Sequence, residues 1–436
     1  MKKVLVITYY WPPSGGAGVQ RWLKFTKYLP EFGWQPIVYT PENPEAPVDD
    51  PSLVKDIHPD IEVIRKPIRE PYALYKKFVG MNSGQRINAG FLKERAQPRK
   101  KEGISVWIRG NLFIPDARKF WIRPSVRFLI RYLKEHPVDA VVSSGPPHSM
   151  HLIALGLKRK LGIPWIADFR DPWTEIDFYD QLRLTKRSDR RHKTLERDVV
   201  TGADQVVVVG KTMADRFRQV HGVIPFVVPN GYDHTDFDPV AAGKGDPGPG
   251  GEFRIVHVGA MNKDRNHESF WKVISELVSE YPEPMAGLKI MLVGKLDVSV
   301  RESIAKHGLE GRVEMVDYLP HQKIIPLLCS ASALYLPVNN TPNSKSIQTG
   351  KLFEYLAAAR PIVGIGPVDG DAAHILKTCH SGEMIGFEDQ GALKSLLLQW
   401  IQWQKEGKLT ITPREIDRYT RKHLASTLAD QLAKLT

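Results

Sequence analysis

Ser344–Val363, SKSIQTGKLFEYLAAARPIV, decides how this chain is read. The stretch predicts a loop, one short helix and the start of a strand. Within the helix Lys351 and Glu354 are three residues apart and share a face. Leu352, Phe353 and Leu356 point the other way, toward a core. A helix that opens on a Gly-containing turn, here through Gly350, aims unsatisfied backbone N–H groups at whatever lies before it. N–H groups, a cation and a carboxylate together suit a ligand carrying both phosphate and hydroxyl groups, and a nucleotide sugar is such a ligand. The competing reading is an ordinary surface ion pair contributing ~0.2–0.5 kcal/mol.

Working outward, both halves of the chain alternate strands and helices. The first half opens with VLVIT (Val4–Thr8), a continuous apolar run of the kind a buried parallel strand needs. The loop WPPSGGAG and a helix from Val19 to Tyr28 follow. Further strands are predicted at 35–39, 61–64, 140–143, 164–168 and 205–209. The Gly/Pro-rich stretch Val240–Gly251 has no periodicity and reads as a linker. A second unit then starts at Arg254–Ala260 and continues with strands at 288–294, 312–319, 333–338 and 361–366, before closing amphipathic helices at 392–406 and 414–435. This pattern predicts an α/β fold of two Rossmann-like, doubly wound parallel-sheet domains facing a central cleft, where such sheets bind ligands. The expected domains are 1–235, 236–251 as linker, 252–410, and a C-terminal helix in 411–436 packing back on the first domain.

Size and composition agree with a folded globular chain. It has 436 residues, 42% hydrophobic and 25% charged, so wholesale disorder is excluded. Cys329 and Cys379 are too few for a disulfide framework and fit a reducing compartment. The N-terminus lacks the long apolar stretch and small-residue cleavage site of a signal peptide, and no run of ~18 apolar residues marks a spanning helix. The expected location is the cytoplasm, with peripheral contact at the inner face of the plasma membrane. The net charge is +12, and Arg86–Glu135 alone carries 13 Lys/Arg against 4 Asp/Glu. Phe91, Trp107, Phe113, Phe120, Trp121 and Phe128 interleave with those charges. This region, with a basic insertion at about 75–124, suits an anionic membrane surface or a lipid-diphosphate acceptor. The alternative is a solvated basic face over core aromatics.

Four motifs in order carry a resemblance. They are the strand and Gly-rich loop Val4–Gly18; PNGYD with Phe237 and Pro239; VHVGAMNKDRN after the linker; and KLFEYLAAARPIV, with Ile362 where a Val is usual. The chain resembles the GT-B glycosyltransferases of retaining family 4, over nearly its whole length. The resemblance implies transfer of a sugar from a nucleotide diphosphate sugar to an acceptor hydroxyl, with retention. The implied acceptor is a cell-envelope lipid-linked glycan or polysaccharide precursor.

It also implies roles for residues. Gly15 and Gly16 would lie against the donor diphosphate and acceptor, and Gly259 against the donor. His148 would contact the donor sugar, with His151 a nearby competitor. Asp171 would stand on the acceptor side, unless Asp168 and Arg170 simply pair beside it. Lys263 and Arg265 would neutralise the leaving diphosphate, the division of labour between them open. The backbone of Ile347, Gln348, Thr349 and Gly350, with Lys351, suits the diphosphate, and Glu354 the ribose hydroxyls. The family pairs two glutamates eight positions apart; here Ser346 holds the earlier place. The sugar contact then passes to Ser346, Gln348 or backbone amides, or the sugar differs. The loop Asp317–His321 would lie near the nucleobase. No cofactor, metal or nucleic-acid partner is expected. The Asp-x-Asp pairs Asp236/Asp238 and Asp369/Asp371 fall outside the diphosphate motifs. Two rivals stand beside this reading: a nucleotide-sugar 2-epimerase of the same fold, and a non-enzymatic polyanion-binding protein using the basic region.

Overall fold

The computed structural model describes residues 1–45, 49–70, 100–237 and 251–436. The chain divides into two compact units, Met1–Pro229 with Arg421–Thr436, and Asn230–Thr420. The division falls at Pro229, before the 235 boundary expected from the sequence. Tyr232 explains why: it bridges to Thr420 and packs edge-on against Phe237, so Asn230–Asp233 go with the second unit. Most of the expected linker and the first half of the basic insertion, 75–99, lie outside the described residues.

The first unit is built on β1 (Lys2–Ile7), β2 (Trp34–Pro41), β3 (Glu62–Lys66), β4 (Ala140–Gly145), β5 (Trp165–Phe169), β6 (Gln205–Val208) and β7 (Phe226–Val227). They form one sheet in the order β3-β2-β1-β4-β5-β6-β7, all pairs parallel. The apolar run at the start of the chain has a simple physical cause. Successive side chains of a strand point to opposite faces. Leu5 and Ile7 enter one buried cluster, Val4 and Val6 the other, so both faces of β1 are covered.

The second unit repeats the plan with β8 (Phe253–Val258), β9 (Leu288–Val293), β10 (Val313–Val316), β11 (Ala333–Pro337), β12 (Ile362–Ile365) and β13 (Gly382–Ile385), in the order β10-β9-β8-β11-β12-β13. Here too alternate residues part: Ala333 and Tyr335 face one cluster, Leu334 and Leu336 the other. β7 and β13 are absent from the sequence reading, because a two-residue strand and the short, half-polar GEMI have no readable period.

Strand order fixes where ligands can bind. Open parallel sheets bind them beyond the strands' C-terminal ends, where the winding direction reverses. In the first unit that point lies between β1 and β4, in the second between β8 and β11.

The final helix starts at Arg421, not Arg414, after a short turn at Ile416–Tyr419. Its Leu424, Leu428 and Leu432 repeat every four residues and join Val19, Trp22 and Leu23 of the helix Ala17–Tyr28 in one cluster. Leu428 is 1% exposed. Leu428→Ala should therefore cost about 2–5 kcal/mol, read as a lowered urea midpoint of the first unit's transition. An unchanged midpoint would show that this helix is dispensable to the core.

Candidate functional site

At the first unit's reversal point the loops after β1, β4 and β5 meet. Gly16 precedes the helix Ala17–Tyr28 with φ +93, a left-handed backbone that favours glycine. Gly15 beside it is buried, whereas Gly16 is exposed. A Cβ on Gly18 would stand 2.8 Å from the Tyr10 ring and 3.0 Å from Arg170. Arg170 joins the loops: it donates to the Gly18 carbonyl at 3.1 Å and to that of Pro146. Asp171, next to it, is exposed.

His148 stands at the start of the helix Ser149–Leu161, 7% exposed, its ring stacked on Trp173 at 4.6 Å. Burial above all, then the neighbouring His151, holds its pKa well below the ordinary histidine value, so the ring is neutral. His151 is fully buried, bonded to Ser143 Oγ at 2.8 Å and stacked on Phe169. It belongs to the core. Asp168 does not pair with Arg170. Arg21 binds it at 2.8 Å, and Trp22 and Ser144 donate to the same carboxylate.

The second unit places the other residues around β8 and β11. Gly259 follows β8 with φ +145 and donates to Val293 at 2.8 Å. A Cβ on Gly294 would stand 2.7 Å from the Gly259 carbonyl, so the two loops touch through backbone. Lys263 and Arg265 share a single 3-10 turn. Arg265 Nε donates to Asn339 Oδ1 at 2.5 Å, just past β11, and Nη1 to the Ala260 carbonyl at 2.9 Å. Lys263 is exposed and lines a pocket of about 300 Å³ with Asn266, Glu268, Ser299 and Lys306.

Beyond β11 the loop turns at Ser344–Ser346 and enters the helix Gly350–Ala357. Ser346 Oγ donates to the Asn343 carbonyl at 2.8 Å, so this hydroxyl closes its own turn. Ile347 and Thr349 are extended, and Thr349 makes no side-chain cap. Gln348 donates to Asp371 at 3.2 Å. Gln348 Oε1 and Thr349 Oγ1 have no hydrogen-bond partner among the described residues. A Cβ on Gly350 would meet nothing within 4 Å, so the mouth of the helix is open. Asp369 pairs with Lys345. Asp238 lies outside the described residues.

The helix is seated by Leu352, Phe353 and Leu356, buried as expected, and by Tyr355, whose hydroxyl accepts from Val258 N–H at 2.9 Å. That bond fixes the helix to the end of β8. Lys351 Nζ lies 2.8 Å from Glu354 Oε2. His321, the first residue of the helix after β10, brings Nε2 to 3.6 Å from Glu354 Oε1 and Nδ1 to 4.0 Å from Asp236 Oδ2. The sequence alone gives the 317–321 loop an expected place near the nucleobase and His321 no role of its own. Burial would raise the Glu354 pKa, but the Lys351 and His321 charges outweigh it and hold it down, to about 2. The carboxylate is therefore ionised at neutral pH.

Arg265 and Lys351 converge electrically. His257, buried at the end of β8, has its pKa pulled to about 4, first by burial and then by both cations. Two cations, a carboxylate and an open helix start thus gather at one reversal point, an arrangement able to hold a phosphorylated, hydroxyl-bearing ligand.

Residues 88–236 match the family described as Glycosyltransferase Family 4. No curated protein sequence matches the chain. Among solved structures, sucrose-phosphate synthase from Thermosynechococcus elongatus is similar at 13% identity, covering 100% of this chain and 99% of its own, with TM-score 0.63. WaaG, a glycosyltransferase involved in lipopolysaccharide biosynthesis, is similar at 14% identity, 98% and 99% coverage and TM-score 0.58. HepE of Anabaena, solved in complex with UDP-glucose, is similar at 13% identity, 100% and 97% coverage and TM-score 0.56. The two sheets are those of the GT-B fold.

Proposed function

We propose that this chain, a glycosyltransferase of the GT-B type, moves a sugar from a nucleotide diphosphate sugar to an acceptor hydroxyl of a cell-envelope glycan or its lipid-linked precursor. The convergence of Arg265, Lys351 and Glu354 at the β8/β11 reversal point carries the reading. Glu354 takes the ribose hydroxyls. Lys351, Arg265 and the amides of Thr349–Lys351 take the diphosphate. As the sugar–phosphate bond breaks, negative charge grows on the leaving oxygen, and fixed cations there favour the transition state. With two cations in place, turnover is expected to survive EDTA. The neutral ring of His148 and the Asp171 carboxylate stand at the first unit's edge for the sugar and acceptor. Retention of configuration accompanies the reading and is read directly from the anomeric proton of the product.

The likeness to HepE with UDP-glucose and to WaaG in lipopolysaccharide synthesis supports a nucleotide sugar and an envelope acceptor. A peripheral membrane position is supported by the helix Lys119–Glu135. Arg123, Arg127, Arg131 and Lys134 are exposed at helical spacing, with Phe120 53% exposed beside them and Trp107 41% exposed in the helix Lys100–Leu112. Flotation with vesicles should require anionic lipid and fade with salt. Binding indifferent to both would remove the membrane from the proposal.

The decisive experiment is a screen for nucleoside diphosphate release from UDP-, GDP- and ADP-sugars with cell-envelope lipid extract as acceptor. One donor should be consumed only when acceptor is present. Consumption of none would overturn the reading, and conversion without acceptor would favour the epimerase.

A further inference from the structure

Glu354 sits between two basic side chains that come from different elements. Lys351 lies on its own helix at 2.8 Å, and His321 lies at 3.6 Å from the start of the helix after β10. The other nitrogen of the His321 ring faces Asp236, at 4.0 Å, on the turn His234–Phe237. Among the described residues, Glu354, Asp236 and Lys351 are the charges that act on the imidazole most strongly. The Glu354 side chain is 15% exposed and that of Lys351 30%.

This geometry poses a problem that the nucleotide site must solve. Lys351 is expected to serve a diphosphate, yet it now serves Glu354. A lysine is a point charge on a flexible stem and can turn away. A mostly buried carboxylate cannot lose its nearest counter-charge cheaply. His321 is placed to remain with Glu354 when Lys351 leaves.

We propose that His321 is a positioning residue of the nucleoside site: bracketed by Glu354 and Asp236, it holds the Glu354 carboxylate in place for the ribose while Lys351 engages the diphosphate. The inference rests on the nucleotide-sugar reading and deepens it. His321 makes no contact with reacting atoms in this role.

Proton linkage follows. Burial lowers the His321 pKa, but Glu354, by contact and by charge, and then Asp236 outweigh it, while Lys351 opposes them; the result stands above the ordinary histidine value. When a diphosphate neutralises Lys351, that opposition fades and the imidazole binds its proton more tightly. Nucleotide binding therefore takes up protons. Affinity is greatest with His321 protonated and falls as pH rises through its pKa in the free protein, by at most about tenfold per pH unit for one proton.

The test measures UDP, GDP and ADP binding by calorimetry between pH 6 and 9 for the wild type and His321→Gln. Ionisation of the terminal phosphate is common to both proteins, so the difference between their pH profiles is the readout. The wild type should bind about tenfold more tightly than His321→Gln at pH 6 and nearly equally at pH 9. Independently of any nucleotide, the His321 imidazole resonance should titrate above pH 6.5, and its midpoint should fall in Glu354→Gln. Parallel profiles, or a midpoint unmoved by Glu354→Gln, would overturn the inference and leave His321 a structural residue. Absence of binding by all three nucleotides to the wild type at every pH would instead bring down the nucleotide reading, and this inference with it.

Discussion

Arg265→Ala is expected to lower kcat about 10²–10³-fold, the scale on which a fixed group stabilising transition-state charge acts. Lys263→Ala should change it less than threefold. Both substitutions remove one cation, two positions apart, so charge count alone predicts equal effects. Position predicts unequal ones. Arg265 is locked by Asn339 and the Ala260 carbonyl, which hold it at the β8/β11 reversal point. Lys263 lines a separate pocket beside the helix Val298–Lys306. A guanidinium already fixed by two hydrogen bonds needs little reorganisation as charge develops. Arg265→Lys should restore part of the loss, because charge returns but the two anchoring bonds do not. Steady-state rates of nucleoside diphosphate release give the comparison. A larger loss in Lys263→Ala would exchange the two roles.

The same pair shows where sequence reasoning ends. Residues two apart in an unknown loop cannot be ordered by role. On a 3-10 turn, with three residues per turn, they stand about 240° apart and face different neighbours. The turn itself was the missing fact. The fold was more legible, because the central residues of β1 and β8 are buried on both faces and run apolar, Val4–Ile7 and Ile255–Val256. Gly16, His148, Asp171, Gly259 and Lys351 could be assigned to strand ends for the same reason. Tertiary pairs were not legible. Asp168 has Arg170 two positions away in sequence, but Arg21, on the helix Ala17–Tyr28, is its partner. His321 and Asp236 reach Glu354 from segments far away in the chain, and a lone histidine has no period to betray it. Nor was it legible that Ser346, standing where the family has a glutamate, donates its hydroxyl to the Asn343 carbonyl and keeps only acceptor lone pairs for a ligand.

Glu354→Gln should weaken donor binding about 10–100-fold, since a hydrogen bond to a charged group contributes about 1.5–3 kcal/mol. The substitution keeps the shape and removes the charge, so the buried packing of Leu352, Phe353 and Leu356 survives. The loss should fall on the donor KM or Kd, because the ribose is held equally in ground and transition states. Acid stability supplies an independent check. Burial favours the protonated carboxyl, but Lys351 and His321 hold the Glu354 pKa down, to about 2. A depressed carboxyl pKa adds stability that is fully present above the unfolded value and is lost as pH falls through the folded one. The wild type should therefore be the more stable protein at pH 6, with the two curves converging between pH 4.5 and 2. Convergence together with weakened donor binding is the signature of a carboxylate serving both its cations and a ligand. Convergence with unchanged donor affinity would mean that Lys351, Glu354 and His321 form a structural ion cluster and that the ribose lies elsewhere.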